Sequence, residues 1–268
     1  MKTSSPPCEA DKLRKHWNKV AKKIDDFFQA PSTGYYRRRE EALIKRFFGK
    51  LKGKKLLKLD LWNEVNNTRI LFWAAQQGAK AYGLDISDYL VKKARQNLKK
   101  EGIKAKLIVC DARNVKFSDN TFDFAYTMGT IEHIPDPEVV VKEIYRILKP
   151  GGRCIVGVPN KLDPFLRPAL VWLLEIFGKY LYSPEKAFSK SQLRKLLKNA
   201  GFKIVGESGI LFMPGSLRIA DLVFNKYAPS LCFLTNLLIK PFELLERRFE
   251  VLHRNGYLIA CAAEKPKK

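Results

Sequence analysis

"NTFDFAYTMGTIEHIPDPEVVVKEIYRILKPGGRCIVGVPN", residues 120–160, decides the fold. Residues 122–126 are a short apolar strand. Residues 137–148 follow as a helix, "KPGG" (149–152) as a tight turn, and 153–158 as a second strand closing on Pro159. The same alternation runs upstream. Residues 56–61 predict a strand and 68–77 a helix, with Asn66, Asn67 or Thr68 as candidate N-caps and Gly78 as the stop. Residues 79–84 predict a strand closing on Asp85. Ser87 can cap a helix over 88–100 that ends at Gly102, and 104–110 predict a strand closing on Asp111. Strands alternating with helices at this spacing predict βαβ units: an α/β fold with a mostly parallel sheet and helices on both faces.

The flanks differ. Residues 11–30 and 38–50 predict helices, the second with Leu43, Ile44, Phe47 and Phe48 on one face. "APSTGYYRR" (30–38) between them predicts a loop by its Pro, Ser, Thr and Gly. Residues 1–50 therefore form an N-terminal helical lid and 51–268 the main domain. Within the latter, about 161–180 and 217–252 are apolar but interrupted by charge, and predict an inserted helical cap. "FSKSQLRKLLKNAGFKIVGESG" (188–209) and "GYLIACAAEKPKK" (256–268) return to helix and strand and supply the last strands of the sheet.

Composition narrows the function classes. Fifty Lys and Arg against 27 Asp and Glu give a formal charge of +23. Such a surplus favours an anionic partner: a membrane surface, a nucleic acid or an acidic small molecule. A lysine-rich surface without a dedicated partner would give the same number, since the basic residues are spread along the chain. Five cysteines lack C-x-x-C spacing, and Cys110, Cys154 and Cys261 sit in apolar strand-like runs. Buried reduced thiols predict a cytosolic compartment. Three distant histidines predict no metal site. The N-terminus lacks the apolar core of a signal peptide, and no run of about 18 uncharged apolar residues predicts a membrane span.

In an open parallel sheet, ligands bind beyond the carboxyl ends of the strands. Three successive strands here end in an acid. Asp85, about 25 residues past the end of the first strand, suits ribose hydroxyls, because a carboxylate can accept both of their hydrogen bonds. Asp111 and Ala112 offer an acceptor and a backbone N–H to an adenine edge.

The stretches "YGLDIS" (82–87), "LIVCDARNVKFSDNTFDFAYTMGTIEHIPDP" (107–137), "VVKEIYRILKPGGRCIVGVPN" (140–160) and "FSKSQLRKLLKNAGF" (188–202) resemble the class I S-adenosylmethionine-dependent methyltransferases, of the small-molecule type that includes quinone and lipid methylases. The resemblance covers about residues 35–210 and the last strand. It implies a Rossmann-like, doubly wound, seven-stranded sheet and S-adenosylmethionine as cofactor. Asp85 and Ile86 would meet the ribose and adenine, and Asp111 and Ala112 the adenine edge. Thr127 and Met128 would meet the methionine part. His133, in the "IEHI" segment, would face the site, and "STGYY" resembles a lid that closes Tyr35 or Tyr36 over the cofactor.

One stretch departs from the family. The pattern after the first strand is acid-x-Gly-x-Gly-x-Gly. In "LLKLDLWNEVNNTRI" (56–70), aligned on Asp60, those glycines are Trp62, Glu64 and Asn66, and the resemblance puts Asp60, Leu61, Trp62 and Glu64 against the cofactor. Glycine there permits positive φ and close approach to the ligand. Two readings follow. In a rebuilt loop, Glu64 or Asp60 pairs with the cofactor's ammonium and Trp62 packs under it or against the sulfonium. In a scaffold that has lost the cofactor, Trp62 and Glu64 block it. Retention of Asp60, Asp85, Asp111 and "IEH" favours the first.

Methyl transfer from a sulfonium is an in-line displacement that needs alignment, exclusion of water and, for a protonated acceptor, a base. His133 is the histidine near the predicted site and suits that role. The fourth strand ends in "TMGT" and lacks the Asn-Pro-Pro-aromatic signature of enzymes that methylate a flipped base amine. The apolar cap instead predicts a small, hydrophobic or lipid-like acceptor, and the cap's mixed apolar and basic character predicts contact with an anionic membrane at its inner, cytoplasmic face. The alternatives are a non-catalytic binding domain of this fold and an RNA methyltransferase using the basic surface.

Overall fold

The computed structural model describes residues 9–180, 182 and 185–267, so Cys8 and the first eight residues of the expected lid lie outside it. The described strands are β1 (Lys55–Lys58), β2 (Lys80–Asp85), β3 (Lys106–Val109), β4 (Phe122–Met128), β5 (Leu148–Pro159), β6 (Lys203–Ile210) and β7 (Leu258–Glu264). They form one sheet in the order β3-β2-β1-β4-β5-β7-β6. β1 to β5 pair in parallel, and β7 runs antiparallel between β5 and β6, so the sheet is mixed. The chain winds outward from β1 through β2 to β3, then returns to β4 on the other side. That reversal opens a crevice at the carboxyl ends of β1 and β4.

Helices cover both faces: α1 (Glu9–Ala21), α2 (Pro31–Phe48), α3 (Trp62–Asn66), α4 (Ile70–Gln76), α5 (Asp88–Glu101), α6 (Pro137–Ile147), α7 (Arg167–Ile176), α8 (Lys190–Asn199), α9 (Gly215–Tyr227) and α10 (Cys232–Arg248). Alternate strand residues feed opposite layers: Leu56 packs in one apolar core and Leu57 in the other. α6 turns Val140, Val141, Ile144 and Ile147 into the second layer, all fully buried. α5 starts as its sequence predicts, with Ser87 Oγ accepting the Leu90 N–H at 3.1 Å, and stops at Gly102 in the left-handed region (φ 65°).

Two local expectations are corrected. The expected loop 30–38 is the start of α2, and 22–30 is not helical. Pro31 sits in the first helical turn, where a missing N–H costs nothing, so the residue read as a loop marker is a helix initiator. The expected helix 68–77 is α4 alone, entered through Arg69 in place of an Asn or Thr cap, and residues 62–66, in the turn after the first strand, form the separate short helix α3.

Candidate active site

The glycine-less turn after β1 is built around a lysine. Lys58 ends β1 with its side chain fully buried. Its Nζ donates to Asp60 Oδ1 at 2.8 Å and to the Asp60 carbonyl at 2.9 Å, and lies 3.6 Å from Glu64 Oε1. Burial alone would lower the Lys58 ammonium. Asp60 and Glu64 outweigh it and hold the pKa above the ordinary lysine value. Glu64 is also fully buried, and its two carboxylate oxygens accept the Leu71 N–H at 3.2 and 3.3 Å, which satisfies an orphan donor in the first turn of α4. Burial pushes the Glu64 carboxyl up to about 7 against the pull of Lys58.

This arrangement removes the need for glycine. Trp62, Glu64 and Asn66 lie in α3, and none has positive φ. The left-handed residue is instead Arg69 (φ 53°). Its guanidinium meets Asp26 and Glu101, each at 2.7 Å, and lies 4.2 Å from the centre of the Phe28 ring. These contacts offset the roughly 1–2 kcal/mol that the left-handed region costs a residue with a Cβ.

Beyond the turn lies a cavity of about 590 Å³, within the range of small-molecule sites. Asp60, Trp62, Asp85, Ile86, Asp111, Ala112, Met128, His133 and Tyr36 line it, so one cavity gathers residues from four strand ends and the N-terminal helices. Asp85 accepts the Leu61 N–H and the Ser87 N–H, each at 2.8 Å, and is nearly buried. Each of its oxygens keeps lone-pair capacity for a further donor. Burial pushes its carboxyl up to about 7, with the two N–H groups pulling against it. Asp60 Oδ2 accepts from Thr130 Oγ1 at 2.9 Å. Gly157 on β5 makes room for Met128, since a Cβ there would stand 2.0 Å from its sulfur.

Residues 65–156 match the family model described as "Methyltransferase domain". Over those residues the chain is similar to the class I S-adenosylmethionine-dependent methyltransferases. A ubiquinone/menaquinone biosynthesis C-methyltransferase of Desulfotalea psychrophila is 29% identical over 161 residues, 54% of this chain and 64% of that protein. A sterol methyltransferase-like protein of Botryococcus braunii is 31% identical over 172 residues, 59% of this chain and 44% of that one. The chain thus spans less than two thirds of either relative's length. Haemonchus contortus phosphoethanolamine N-methyltransferase 2, solved with S-adenosylmethionine, shares the fold at TM-score 0.56 and 20% identity, over 86% of this chain and 53% of that one. The [4+2]-cyclase SpnF shares it at TM-score 0.61 and 17% identity, over 96% and 94%.

The methyltransferase cofactor is S-adenosylmethionine, which supplies an activated methyl group when bound. The residues present fit it. Asp85 retains acceptor capacity toward ribose hydroxyls, Asp60 presents a carboxylate held by Lys58 and Thr130, and Ile86, Ala112 and Met128 give apolar walls. Three expected contacts lie off the cavity wall. Glu64 points into the core at Lys58, so its carboxylate cannot meet the cofactor's ammonium. Leu61 and Thr127 are fully buried and line no part of the cavity. Tyr36 lines it, whereas Tyr35 is turned away and its hydroxyl bonds Glu246 on α10. Asp111 lines the cavity with its carboxylate gripped by Arg113, whose Nη2 is at 2.9 Å and whose backbone N–H is also at 2.9 Å.

Other functional groups were not legible in the sequence. Trp17 of α1 closes the cavity from above, edge-on to Trp62 (6.1 Å between ring centroids) and His133 (5.3 Å), and Tyr182 packs edge-on to Trp62 at 5.4 Å. Glu132, beside His133 in "IEH", is buried in the cavity wall, and among the described residues its Oε2 meets no hydrogen-bond partner. Burial, with Glu185 and Asp60 adding to it, pushes its carboxyl well above the usual range.

Proposed function

We propose that the chain transfers a methyl group from S-adenosylmethionine to a small hydrophobic or lipid-like acceptor. The observation that carries this reading is the second half of the cavity. Along α7 and α9 its wall is mainly apolar, with Leu170, Val171 and Leu174 on one helix and Ile219, Leu222 and Val223 on the other, and Arg167, Arg218 and Lys226 as charged exceptions. Apolar surface of that kind favours an acceptor with hydrocarbon to bury. The names of the relatives, a quinone methylase and a sterol methyltransferase-like protein, support the same class. Asp60 and Asp85 fix the cofactor, the Trp17–Trp62–Tyr182 cluster excludes water, and His133 takes the proton of an acceptor that carries one. The buried thiols of Cys110, Cys154 and Cys261 support a cytosolic setting.

Incubation with methyl-labelled cofactor and a panel of quinols, sterols and long-chain phenols tests the reading. Label is expected in the organic extract with at least one of them. Label only in RNA supplied in parallel would replace this acceptor class, and no transfer despite measured cofactor binding would support a non-catalytic domain.

A further inference from the structure

α9 packs between α7 and α10, and all three helices leave apolar side chains in solvent. On α7 and just before and after it these are Leu162, Leu166, Trp172, Leu173, Ile176 and Phe177, with Trp172 61% and Phe177 66% exposed. On α9 they are Ile219, Val223 and Tyr227, one stripe at i, i+4 and i+8. On α10 they include Phe233, Leu234, Leu237 and Leu238, with Leu237 69% exposed. Single exposed apolar residues are ordinary, but a run of this kind on adjacent helices marks an interaction surface.

Two observations say what covers it. The first is charge. Lys161, Lys179, Lys240, Arg247 and Arg248 are exposed on or beside the same helices, with Glu175 and Glu250 as acidic exceptions, on a chain of formal charge +23. A second copy would bring the same basic rim against itself, whereas an anionic lipid surface complements it. The second is continuity with the cavity. Ile219, Val223 and Tyr227 are exposed and also line the acceptor half, so its mouth opens on this face. No described helix is long and apolar enough to cross a membrane, which leaves the interfacial mode for these helices.

We propose that α7, α9 and α10 dock the protein on an anionic bilayer, with the cavity mouth against the lipid, so that an acceptor dissolved in the bilayer passes from it into the site. The hydrocarbon of α7 and α10 enters the headgroup boundary while the basic residues meet lipid phosphates. The docking itself does not rest on methyl transfer, and it is measured without cofactor.

Flotation of the full chain with phosphatidylglycerol–phosphatidylcholine vesicles, beside phosphatidylcholine alone, tests it. Binding is expected on the anionic vesicles, at least tenfold weaker on the neutral ones, and weaker with added salt, because surface charges are screened within about 10 Å at 0.1 M. The double variant Phe233→Asp, Leu237→Asp changes only exposed side chains and should lose at least tenfold in vesicle binding with its S-adenosylhomocysteine affinity unchanged. Brominated lipid should quench emission that the Trp172→Phe variant lacks. No flotation, equal binding by the double variant, or a wild-type dimer that this variant converts to monomer would each overturn the proposal. The last outcome would assign the face to a second copy of the chain.

Discussion

Lys58→Met should lower the melting temperature by about 10 °C. The substitution keeps length and apolar volume, so core packing is nearly preserved, and what is lost is the ammonium. Asp60 then has no cation at 2.8 Å and Glu64 none at 3.6 Å, inside a core where both are nearly or fully buried. Removing one partner of a buried ion pair costs roughly 3–5 kcal/mol, because the remaining charge is left uncompensated. At about 2–4 °C per kcal/mol for a chain of this size, the shift is on the order of 10 °C. Adding Glu64→Gln should restore several degrees, since the second variant removes one of the stranded carboxyls and keeps an acceptor for the Leu71 N–H. Thermal unfolding followed by circular dichroism decides it. A drop under about 2 °C in the single variant would mean that Lys58 does not hold the turn.

His133→Ala should lower kcat by roughly 10²–10⁴, the range for loss of a positioned general base. The imidazole lies against Trp17 and 3.9 Å from Glu132 Oε1, in the wall of the cavity that also holds Asp60, Asp85 and the apolar residues of α7 and α9. A base acting there removes a proton as the acceptor atom attacks, so the loss falls on kcat and leaves cofactor affinity within about twofold. With cofactor saturating at every pH, so that Asp85 does not enter, the acid limb of the wild-type kcat profile should vanish in the variant, which loss of packing alone would not produce. An unchanged kcat on the acceptor found in the labelling experiment would remove the base role from His133. An equal loss in cofactor affinity would make the residue a structural support for Trp17.

Much of the fold was legible because its signals are local. A strand ending in an acid, a serine that caps α5 and a glycine that ends it depend on neighbours within a few residues, and Asp85 and Asp111 fell at the cavity as their spacing predicts. The turn after β1 was not legible in the same way. A lysine in "LLKLD" and a glutamate six residues later are both ordinary surface residues by type. Their pairing depends on helices covering both faces of β1, which only the tertiary fold supplies. Glu64 was therefore read outward, toward a ligand, when its partner lies inward. The three glycine positions misled for a related reason: glycine is needed where φ is positive, and the helical turn of α3 moves that requirement to Arg69. Glu132 carried a signal, its place beside His133, but its missing partner is visible only once the wall around it is built.

The central claim is that this glycine-less turn is an intact cofactor site with Asp85 as its ribose acid. Calorimetric titration of the folded wild-type chain and of Asp85→Asn with S-adenosylmethionine, repeated across pH, tests it most directly. A ribose hydroxyl is held best by the ionised carboxylate. Affinity should therefore rise with pH through about 7, the value to which burial lifts Asp85, and level off above it. The fold's own stability runs the other way: a carboxyl raised in the folded state contributes fully below about 4 and loses that contribution as pH rises through about 7. Saturable one-to-one binding by the wild type, about tenfold weaker and pH-flat in Asp85→Asn, is the predicted result. No heat at millimolar cofactor, from a chain that circular dichroism shows to be folded, would contradict it.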